Sequence, residues 1–236
     1  MQVAAQTVSP PDFASQRQTM VDCQVRTFDV TDLDVIRRFE DVPRDLFMPA
    51  PIKSLAYSDA PLEVRSPEGN VRGLLAPLVL ARMIQGAQVN AGDRVLDIAG
   101  AFGYTAAILA GLAQSVVALE SSRGFTTEAA NNFKALGIGN ATAVTGRLDG
   151  SELPEEATFD VIFVNCGVEA GLSDLIRRLS PNGRLLAILV TDAGAVGRAG
   201  KATRFDRVGP DASRRALFDT TAPVLVEFRR PPGFVF

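Results

Sequence analysis

The sequence predicts an α/β fold: a doubly wound, mostly parallel sheet with an antiparallel C-terminal hairpin and an N-terminal helical extension. From residue 93 to residue 191, short runs of aliphatic and β-branched residues alternate with amphipathic helical segments. This is the pattern of parallel strands that are covered on both faces, with right-handed crossovers between them. After residue 191 the alternation stops, and two extended segments follow without a helix between them. These two segments favour a closing antiparallel hairpin.

The chain divides into three parts along its length. Residues 1–11 are expected to form a disordered tail, residues 12–76 a helical and loop extension, and residues 77–236 the main α/β domain. A chain of 236 residues is long enough for one such domain with an appendage. The extension is expected to cover the carboxyl ends of the strands.

The extension contains two predicted helices, a loop and the start of the main domain. One helix runs from about Asp12 to Phe28 with Asp12 as its N-cap, and a second follows Thr31, which is a plausible N-cap. The proline-rich stretch 49–73 is expected to be a loop. A further helix is predicted from Pro77 to about Ala87, because proline suits the first helical turn.

Strands and helices alternate regularly in the main domain, and each is short enough to be a single element. In order they are the strand RVLDIA (94–99), the helix YTAAILAGLA (104–113), the strand SVVALE (115–120), the helix TTEAANNFKALG (126–137), the strands ATAVTG (141–146) and FDVIFVN (159–165), the helix LSDLIRRLS (172–180) and the strand GRLLAILVT (183–191). The predicted closing hairpin pairs TRFDRV (203–208) with APVLVEF (222–228).

Composition excludes several classes of function. The net charge of −3 gives no electrostatic reason to expect nucleic acid or an anionic membrane as a partner, and the apolar runs are too interrupted to span a bilayer. The N-terminus lacks a secretory pattern and there are only two cysteines, so a cytoplasmic protein is expected. The chain has no histidine, which excludes Ser-His-Asp triads and histidine-based metal sites, so no metal site is expected.

A glycine-containing loop follows the first strand of the main domain, in the segment VLDIAGAFGY. Such loops hold nucleotide-type cofactors at the carboxyl ends of parallel strands. Ala99 and Ala101 occupy two positions where glycine is usual, whereas Gly100 and Gly103 keep flexibility in the loop. A left-handed alanine costs roughly 1–2 kcal/mol. If both alanines take negative φ, the cost is only the reach of a methyl group into the pocket, so weakened cofactor binding is expected, and abolished binding stays open as the alternative.

Two acidic residues end neighbouring predicted strands. Asp97 lies near the end of the first strand and is suited to holding an amine or a water molecule. Glu120 closes the second strand, where an acid typically accepts hydrogen bonds from the ribose hydroxyls of an adenosyl or dinucleotide cofactor. An ordinary solvated strand end is the alternative for Glu120.

The sequence resembles the protein-L-isoaspartate O-methyltransferase family of Rossmann-like, S-adenosylmethionine-dependent methyltransferases. The resemblance rests on VPRDLFMP (42–49), AYSDAPLEV (56–64), the loop segment 95–113, and VVALE, TGRLDG, FDVIFVN and NGRLLAILV in family order. It implies methyl transfer to a carboxylate on a protein or peptide substrate. The implied cofactor-binding residues are Asp97, Ala99, Gly100, Gly103, Glu120, Arg147 and Leu148.

The sequence also departs from this family's pattern. The acceptor segment VRGLLAP (71–77) has no hydroxyl side chain, and Leu74 and Leu75 stand where hydroxyls are expected. In TGRLDG, Asp149 comes one or two positions later than the acid that the family places against the adenine amine. The catalytic residues are therefore left unassigned. Candidates for the acceptor pocket are Tyr57, Asp59, Leu75 and Asn165, although Tyr57 and Asp59 could equally tie the loop to the domain.

The absence of histidine is compatible with methyl transfer to a carboxylate. A carboxylate is already ionised at neutral pH, so catalysis needs alignment and exclusion of water rather than a general base. Two alternatives stay open at this stage. One is a non-catalytic protein-binding module on the same fold. The other is a nicotinamide-dependent oxidoreductase, which Ala101 disfavours because a pyrophosphate tolerates a side chain there poorly. The oligomeric state is not predicted.

Overall fold

The structure is a computed structural model that describes residues 11–190, 200–209 and 211–231. The expected tail therefore lies almost wholly outside the described residues, as do residues 191–199 between the last parallel strand and the hairpin. The helices are α1 (Phe13–Met20), α2 (Leu33–Asp41), α3 (Pro77–Ala87), α4 (Tyr104–Ala110), α5 (Arg123–Ala135) and α6 (Ser173–Arg177). The strands are β1 (Leu62–Arg65), β2 (Val71–Leu74), β3 (Arg94–Ile98), β4 (Ser115–Glu120), β5 (Ala141–Thr145), β6 (Phe159–Val168), β7 (Leu179–Val190), β8 (Gly200–Val208) and β9 (Asp211–Thr220).

Seven strands form one sheet in the order β5-β4-β3-β6-β7-β8-β9. The pairs among β3 to β7 are parallel, whereas β8 and β9 join antiparallel. The buried apolar residues form two clusters. One cluster contains Ile84 and Phe125, and the other contains Leu175 and Phe228. The helices α3, α4 and α5 thus pack in a different layer from α6. The predicted doubly wound α/β fold is confirmed.

The closing hairpin has a different second strand from the one predicted. The partner of β8 is β9, in residues 211–220, and the segment 222–228 is not part of the hairpin. That segment forms one isolated bridge, between Val224 and Gly167, and then a 3₁₀ turn. Ala222, Val224 and Phe228 are buried by packing, whereas Val226 is exposed. The exposed, arginine-rich β9 is an edge strand with weak apolar alternation, which explains why its pattern was missed.

The helices of the extension form near their predicted positions. Asp12 caps α1 by accepting a hydrogen bond from the Ser15 amide, as predicted, and the helix passes into a π-helical turn at Val21–Val25. The predicted Thr31 cap is wrong by one residue, because the Asp32 carboxylate makes the capping bonds. The predicted helix Pro77–Ala87 is confirmed. Among the described residues, no helix has the length and apolarity needed to cross a membrane.

The stretch 49–73, predicted as a loop, contains a small hairpin. After a 3₁₀ turn at Ala50–Leu55, β1 and β2 pair antiparallel, with Leu62 opposite Leu74. Strands of four residues between prolines give little periodic signal, so the sequence did not reveal them. We call this element the β1–β2 hairpin, and it carries residues that matter for the site described next.

Candidate cofactor site

The candidate site lies at the carboxyl end of β3, where the sheet changes its winding direction. β3 pairs in parallel with β4 on one side and with β6 on the other. Ligands of open α/β sheets bind at this kind of switch point. The ends of these three strands bring Asp97, Glu120 and Asn165 to the same edge, and all three side chains are buried.

Both alanines of the glycine-containing loop adopt left-handed backbone conformations. The φ angle is 59° at Ala99 and 53° at Ala101, so the condition of negative φ is not met. The strain of roughly 1–2 kcal/mol for each residue must be offset by other contacts. One such contact is the Ala101 amide, which donates a 2.7 Å hydrogen bond to Glu120 Oε1. Gly103, with φ 89°, is the N-cap of α4.

Asp97 is held by a short polar network on one side only. Asn165 Nδ2 donates to Asp97 Oδ1 at 2.7 Å, and the Thr105 hydroxyl donates to Asn165 Oδ1 at 2.7 Å. Asp97 Oδ2 carries no hydrogen bond among the described residues. A Cβ on Gly100 would lie 2.5 Å from this oxygen, so glycine is required there.

The environment of Asp97 raises the pKa of its carboxyl group to about 7. Burial is the main cause, because it disfavours the charged form. The hydrogen bond from Asn165 lowers the pKa and the nearby charge of Glu120 raises it, both by smaller amounts. A buried acid with one free oxygen and a raised pKa at a switch point indicates a ligand-binding position.

Glu120 forms a buried ion pair with Arg72 of the β1–β2 hairpin. Arg72 Nη2 donates to Glu120 Oε2 at 2.9 Å, and Arg72 Nε lies 3.1 and 3.2 Å from the two carboxylate oxygens. Arg72 Nη2 also donates to the Ser121 hydroxyl at 2.7 Å. Arg72 and Glu120 are only 5% and 2% exposed. Burial raises the pKa of Glu120, and the Arg72 charge opposes that shift.

The solvated-strand-end alternative for Glu120 is therefore wrong, and the residue that binds it was missed by the sequence analysis. Arg72 lies at a buried position of β2, in the otherwise apolar segment VRGLLAP. The only sequence signal is a charge at an inward-facing position, which predicts a buried partner without identifying it. A second contact joins the same elements: the Ser122 hydroxyl donates to Glu68 Oε2 at 2.8 Å. The β1–β2 hairpin thus lies over the loop after β4.

The third predicted cofactor-binding segment begins beside Glu120. The Gly146 amide donates to the Glu120 carbonyl at 2.8 Å. Leu148 is buried, whereas Arg147 is exposed and binds Asp149 at 2.8 Å. This pairing lowers the pKa of Asp149 to about 2, so its carboxylate is engaged with Arg147.

The four acceptor-pocket candidates have different surroundings. Asn165 belongs to the Asp97 network, while Asp59 is exposed. The Tyr57 hydroxyl donates to Asp45 Oδ1 at 2.6 Å, inside the extension. Leu75 is buried, and its carbonyl accepts a 2.8 Å hydrogen bond from the buried Arg44.

A cavity of about 650 Å³ separates the β1–β2 hairpin from the segment 223–229. Arg72 lies in its wall as well as against Glu120. Gly73 permits the close approach of the two elements, since a Cβ there would lie 2.5 Å from Pro223 Cγ. The charged side chains that line the cavity are Glu63, Arg72, Glu227 and Arg229.

Comparisons with known proteins agree with this architecture. Residues 15–205 match the family model of protein-L-isoaspartate(D-aspartate) O-methyltransferase. The protein-L-isoaspartate O-methyltransferase 1 of Rhodopseudomonas palustris strain HaA2 is 36% identical over 203 residues, which are 86% of this chain and 79% of that protein. A relative from Koribacter versatilis is 34% identical over 74% of this chain and 76% of its own length.

Solved structures show the same fold. A protein-L-isoaspartate O-methyltransferase structure superposes with a TM-score of 0.74 and 25% identity, covering 90% of this chain and 67% of that chain. A Plasmodium falciparum structure in complex with S-adenosyl-L-homocysteine gives a TM-score of 0.72 at 18% identity, covering 92% of this chain and all of that chain. The family model spans most of the sequence, and the chain belongs to the protein-L-isoaspartate O-methyltransferase family.

Proposed function

We propose that this chain transfers a methyl group from S-adenosylmethionine to a carboxylate on a protein or peptide, with an isoaspartyl residue as the acceptor. Membership of the family supports this reaction. The observation that carries it is the pair of buried acids at the ends of adjacent strands, Asp97 and Glu120, joined by the loop between β3 and α4. The comparisons give no support to the non-catalytic alternative.

Asp97 can bind the proposed cofactor as it stands in the structure. Glu120 can bind it only after Arg72 has moved away. The free Asp97 Oδ2, buried beside side-chain-free Gly100, can accept a hydrogen bond from the amino group of the cofactor. Glu120 can accept hydrogen bonds from the ribose hydroxyls only where Arg72 gives up its place, because Arg72 and backbone amides now bond both carboxylate oxygens. When bound, S-adenosylmethionine supplies an electrophilic methyl group on a positively charged sulfur.

The residues around the site exclude water rather than move protons. Leu74 and Leu75 are buried in the acceptor segment, where they provide apolar surface but no hydrogen-bond donor from their side chains. A carboxylate acceptor is ionised at neutral pH and needs no general base. The contribution of the protein to the rate is then alignment of the acceptor and exclusion of water.

The decisive experiment has a binding arm and a transfer arm. In the first arm, S-adenosylhomocysteine is titrated into the protein by calorimetry, with NAD as the control ligand. We expect S-adenosylhomocysteine to bind and NAD not to bind, and we expect Glu120→Ala to lose the binding of S-adenosylhomocysteine. Labelled methyl transfer is then measured to an isoaspartyl peptide and to the matched aspartyl peptide. Transfer to the isoaspartyl peptide alone is the expected result. Failure to bind S-adenosylhomocysteine at millimolar concentration, with no transfer, would overturn the proposal.

We further infer that the protein acts in the cytoplasm and that residues 12–76 form a roof over the site. Two thiols without a disulfide support a reducing compartment, since Cys23 and Cys166 are both free. The contacts of Arg72 and Glu68 with the loop after β4 support the roof.

A further inference from the structure

Arg72 lies at the boundary between the two halves of the site. Its guanidinium binds Glu120 and Ser121, and the residue is one of those that line the cavity between the β1–β2 hairpin and the segment 223–229. Arg72 therefore joins the proposed cofactor acid to the lining of a space large enough for part of a peptide.

We propose that Arg72 changes partner during the reaction: it holds Glu120 in the empty protein and binds the acceptor carboxylate once a cofactor occupies Glu120. This inference rests on the proposed function. It assigns the acceptor carboxylate to the cavity of about 650 Å³ and makes Arg72 the residue that recognises its charge.

The charges at the site support the exchange. Arg72 and Glu120 neutralise each other while buried, and a buried charge that loses its partner is strongly unfavourable. Ribose hydroxyls are neutral, so a cofactor that takes over Glu120 leaves the guanidinium without its nearest anion. A carboxylate entering the cavity restores the pairing, and a guanidinium binds carboxylates with two parallel hydrogen bonds.

The acceptor segment lacks another donor side chain for this role. In VRGLLAP, Arg72 is followed by Gly73, Leu74 and Leu75, none of which carries a side-chain hydrogen-bond donor. Among the described residues that line the cavity, Arg229 is the other cation, and it is exposed. Glu63 and Glu227 line the same cavity, so they are the internal anions with which an acceptor carboxylate competes.

Ordered and cooperative binding follows from this exchange. The cofactor frees Arg72 and thereby creates the acceptor site, so the cofactor should raise the affinity for the acceptor. Because coupling between two ligands is reciprocal, the acceptor should raise the affinity for the cofactor by the same factor. When no acceptor is present, the Arg72–Glu120 ion pair competes with the cofactor, so the cofactor binds more weakly than it would without Arg72.

The test is a calorimetric titration of an isoaspartyl peptide with and without saturating S-adenosylhomocysteine. In the wild type we expect the peptide to bind at least tenfold more tightly when S-adenosylhomocysteine is present. In Arg72→Met we expect S-adenosylhomocysteine to bind at least tenfold more tightly than in the wild type, and the effect on the peptide to be lost. Arg37→Met, which removes an exposed arginine of α2 whose partner Asp34 does not line the cavity, is the matched control and should behave as the wild type.

Arg72→Lys covers the case in which Arg72→Met does not fold, as judged by circular dichroism. Lysine keeps the charge but loses the two-pronged geometry, so S-adenosylhomocysteine should bind more tightly than in the wild type while the KM for the peptide rises and kcat changes less. Independent binding of the two ligands in the wild type, or unchanged S-adenosylhomocysteine affinity in a folded Arg72 variant, would overturn the exchange. Methyl transfer with an unchanged peptide KM in Arg72→Met would overturn it too, while leaving the proposed function intact.

Discussion

At the scale of single residues, the site combines features that are unfavourable for folding. Ala99 and Ala101 have positive φ, and Asp97 is a buried acid with one oxygen that no other described residue bonds. Each of these costs stability in the folded protein. Such costs concentrate where a ligand is bound, because the ligand can satisfy groups that the chain leaves open. The loop residues are therefore better explained by binding than by folding.

Asp97 gives a pH dependence of stability whose sign is set by its raised pKa. The pKa rises from 3.8 to about 7 on folding, so between these values the folded state keeps a proton that the unfolded state releases. The free energy of unfolding should then fall as the pH rises from 4 to 8, by about 4 kcal/mol in total. Asp97→Asn removes this fall and should be the more stable protein at pH 8. Urea unfolding at pH 4, 6 and 8 measures the difference.

Asp149→Asn is the control with the opposite sign. The pKa of Asp149 is lowered to about 2, so its stabilising effect is present above pH 4 and is lost as the pH falls towards 2. With the urea series extended to pH 2, the wild type and Asp97→Asn should differ most at high pH, and the wild type and Asp149→Asn should differ least at pH 2. Parallel pH profiles for the wild type and Asp97→Asn would show that Asp97 is not a buried acid with a raised pKa.

At the scale of elements, the N-cap of α2 is Asp32 rather than the predicted Thr31. Asp32 Oδ1 accepts hydrogen bonds from the amides of Asp34 and Val35, at 3.0 and 3.2 Å. Replacing an N-cap aspartate with alanine costs about 1 kcal/mol, so Asp32→Ala should lower the free energy of unfolding by that amount. Thr31→Ala is the matched control and should change it by less than about 0.5 kcal/mol. An equal loss of unfolding free energy in the two variants would contradict the assignment of Asp32 as the sole N-cap.

The sequence predicted those elements whose residues repeat with a clear period. The strands β3, β4 and β6 contain runs of aliphatic residues, and the helix Pro77–Ala87 begins with a proline. The β1–β2 hairpin was missed because its strands have four residues each. The second strand of the closing hairpin was misplaced because the segment 222–228 is rich in apolar residues but forms only one isolated bridge, whereas β9 is mostly polar and exposed.

The site was only partly predictable for a different reason. Asp97, Glu120 and the loop between them are close in sequence and follow from strand ends, so the pattern reveals them. Arg72 reaches Glu120 across 48 positions, and no local period encodes such a contact. The loop backbone is likewise held by contacts distant in sequence, since the Ala101 amide donates to the Glu120 carboxylate and the Ala99 amide to the Leu119 carbonyl.

At the scale of the whole molecule, the C-terminal segment 222–228 connects the β1–β2 hairpin to strand β6 of the sheet. Its Pro223 packs on Gly73 of β2, and the carbonyl of Ala222 lies where a Cβ on Gly167 would reach it, at 2.6 Å. The Gly167 amide donates to the Pro223 carbonyl at 2.9 Å. The position of the β1–β2 hairpin over the site therefore depends on residues from three distant parts of the chain.

Gly73→Ala tests this long-range packing. The new methyl group would lie 2.5 Å from Pro223 Cγ, and because the proline ring is stiff, the hairpin and the C-terminal segment must separate. Overpacking of this kind costs typically 1–3 kcal/mol. Gly92→Ala, where a Cβ meets nothing within 4 Å, is the matched control and should leave the free energy of unfolding nearly unchanged in the same urea titration.

The same substitution tests whether the β1–β2 hairpin opens independently of the sheet. If the segment 222–228 holds the hairpin in place, Gly73→Ala should also speed hydrogen exchange at the amides of β1 and β2 while leaving those of β3 and β4 protected. Exchange that speeds equally in all four strands would mean that the hairpin and the sheet unfold as one unit. In that case Arg72 could leave Glu120 only by moving its side chain, because the hairpin would be fixed to the sheet.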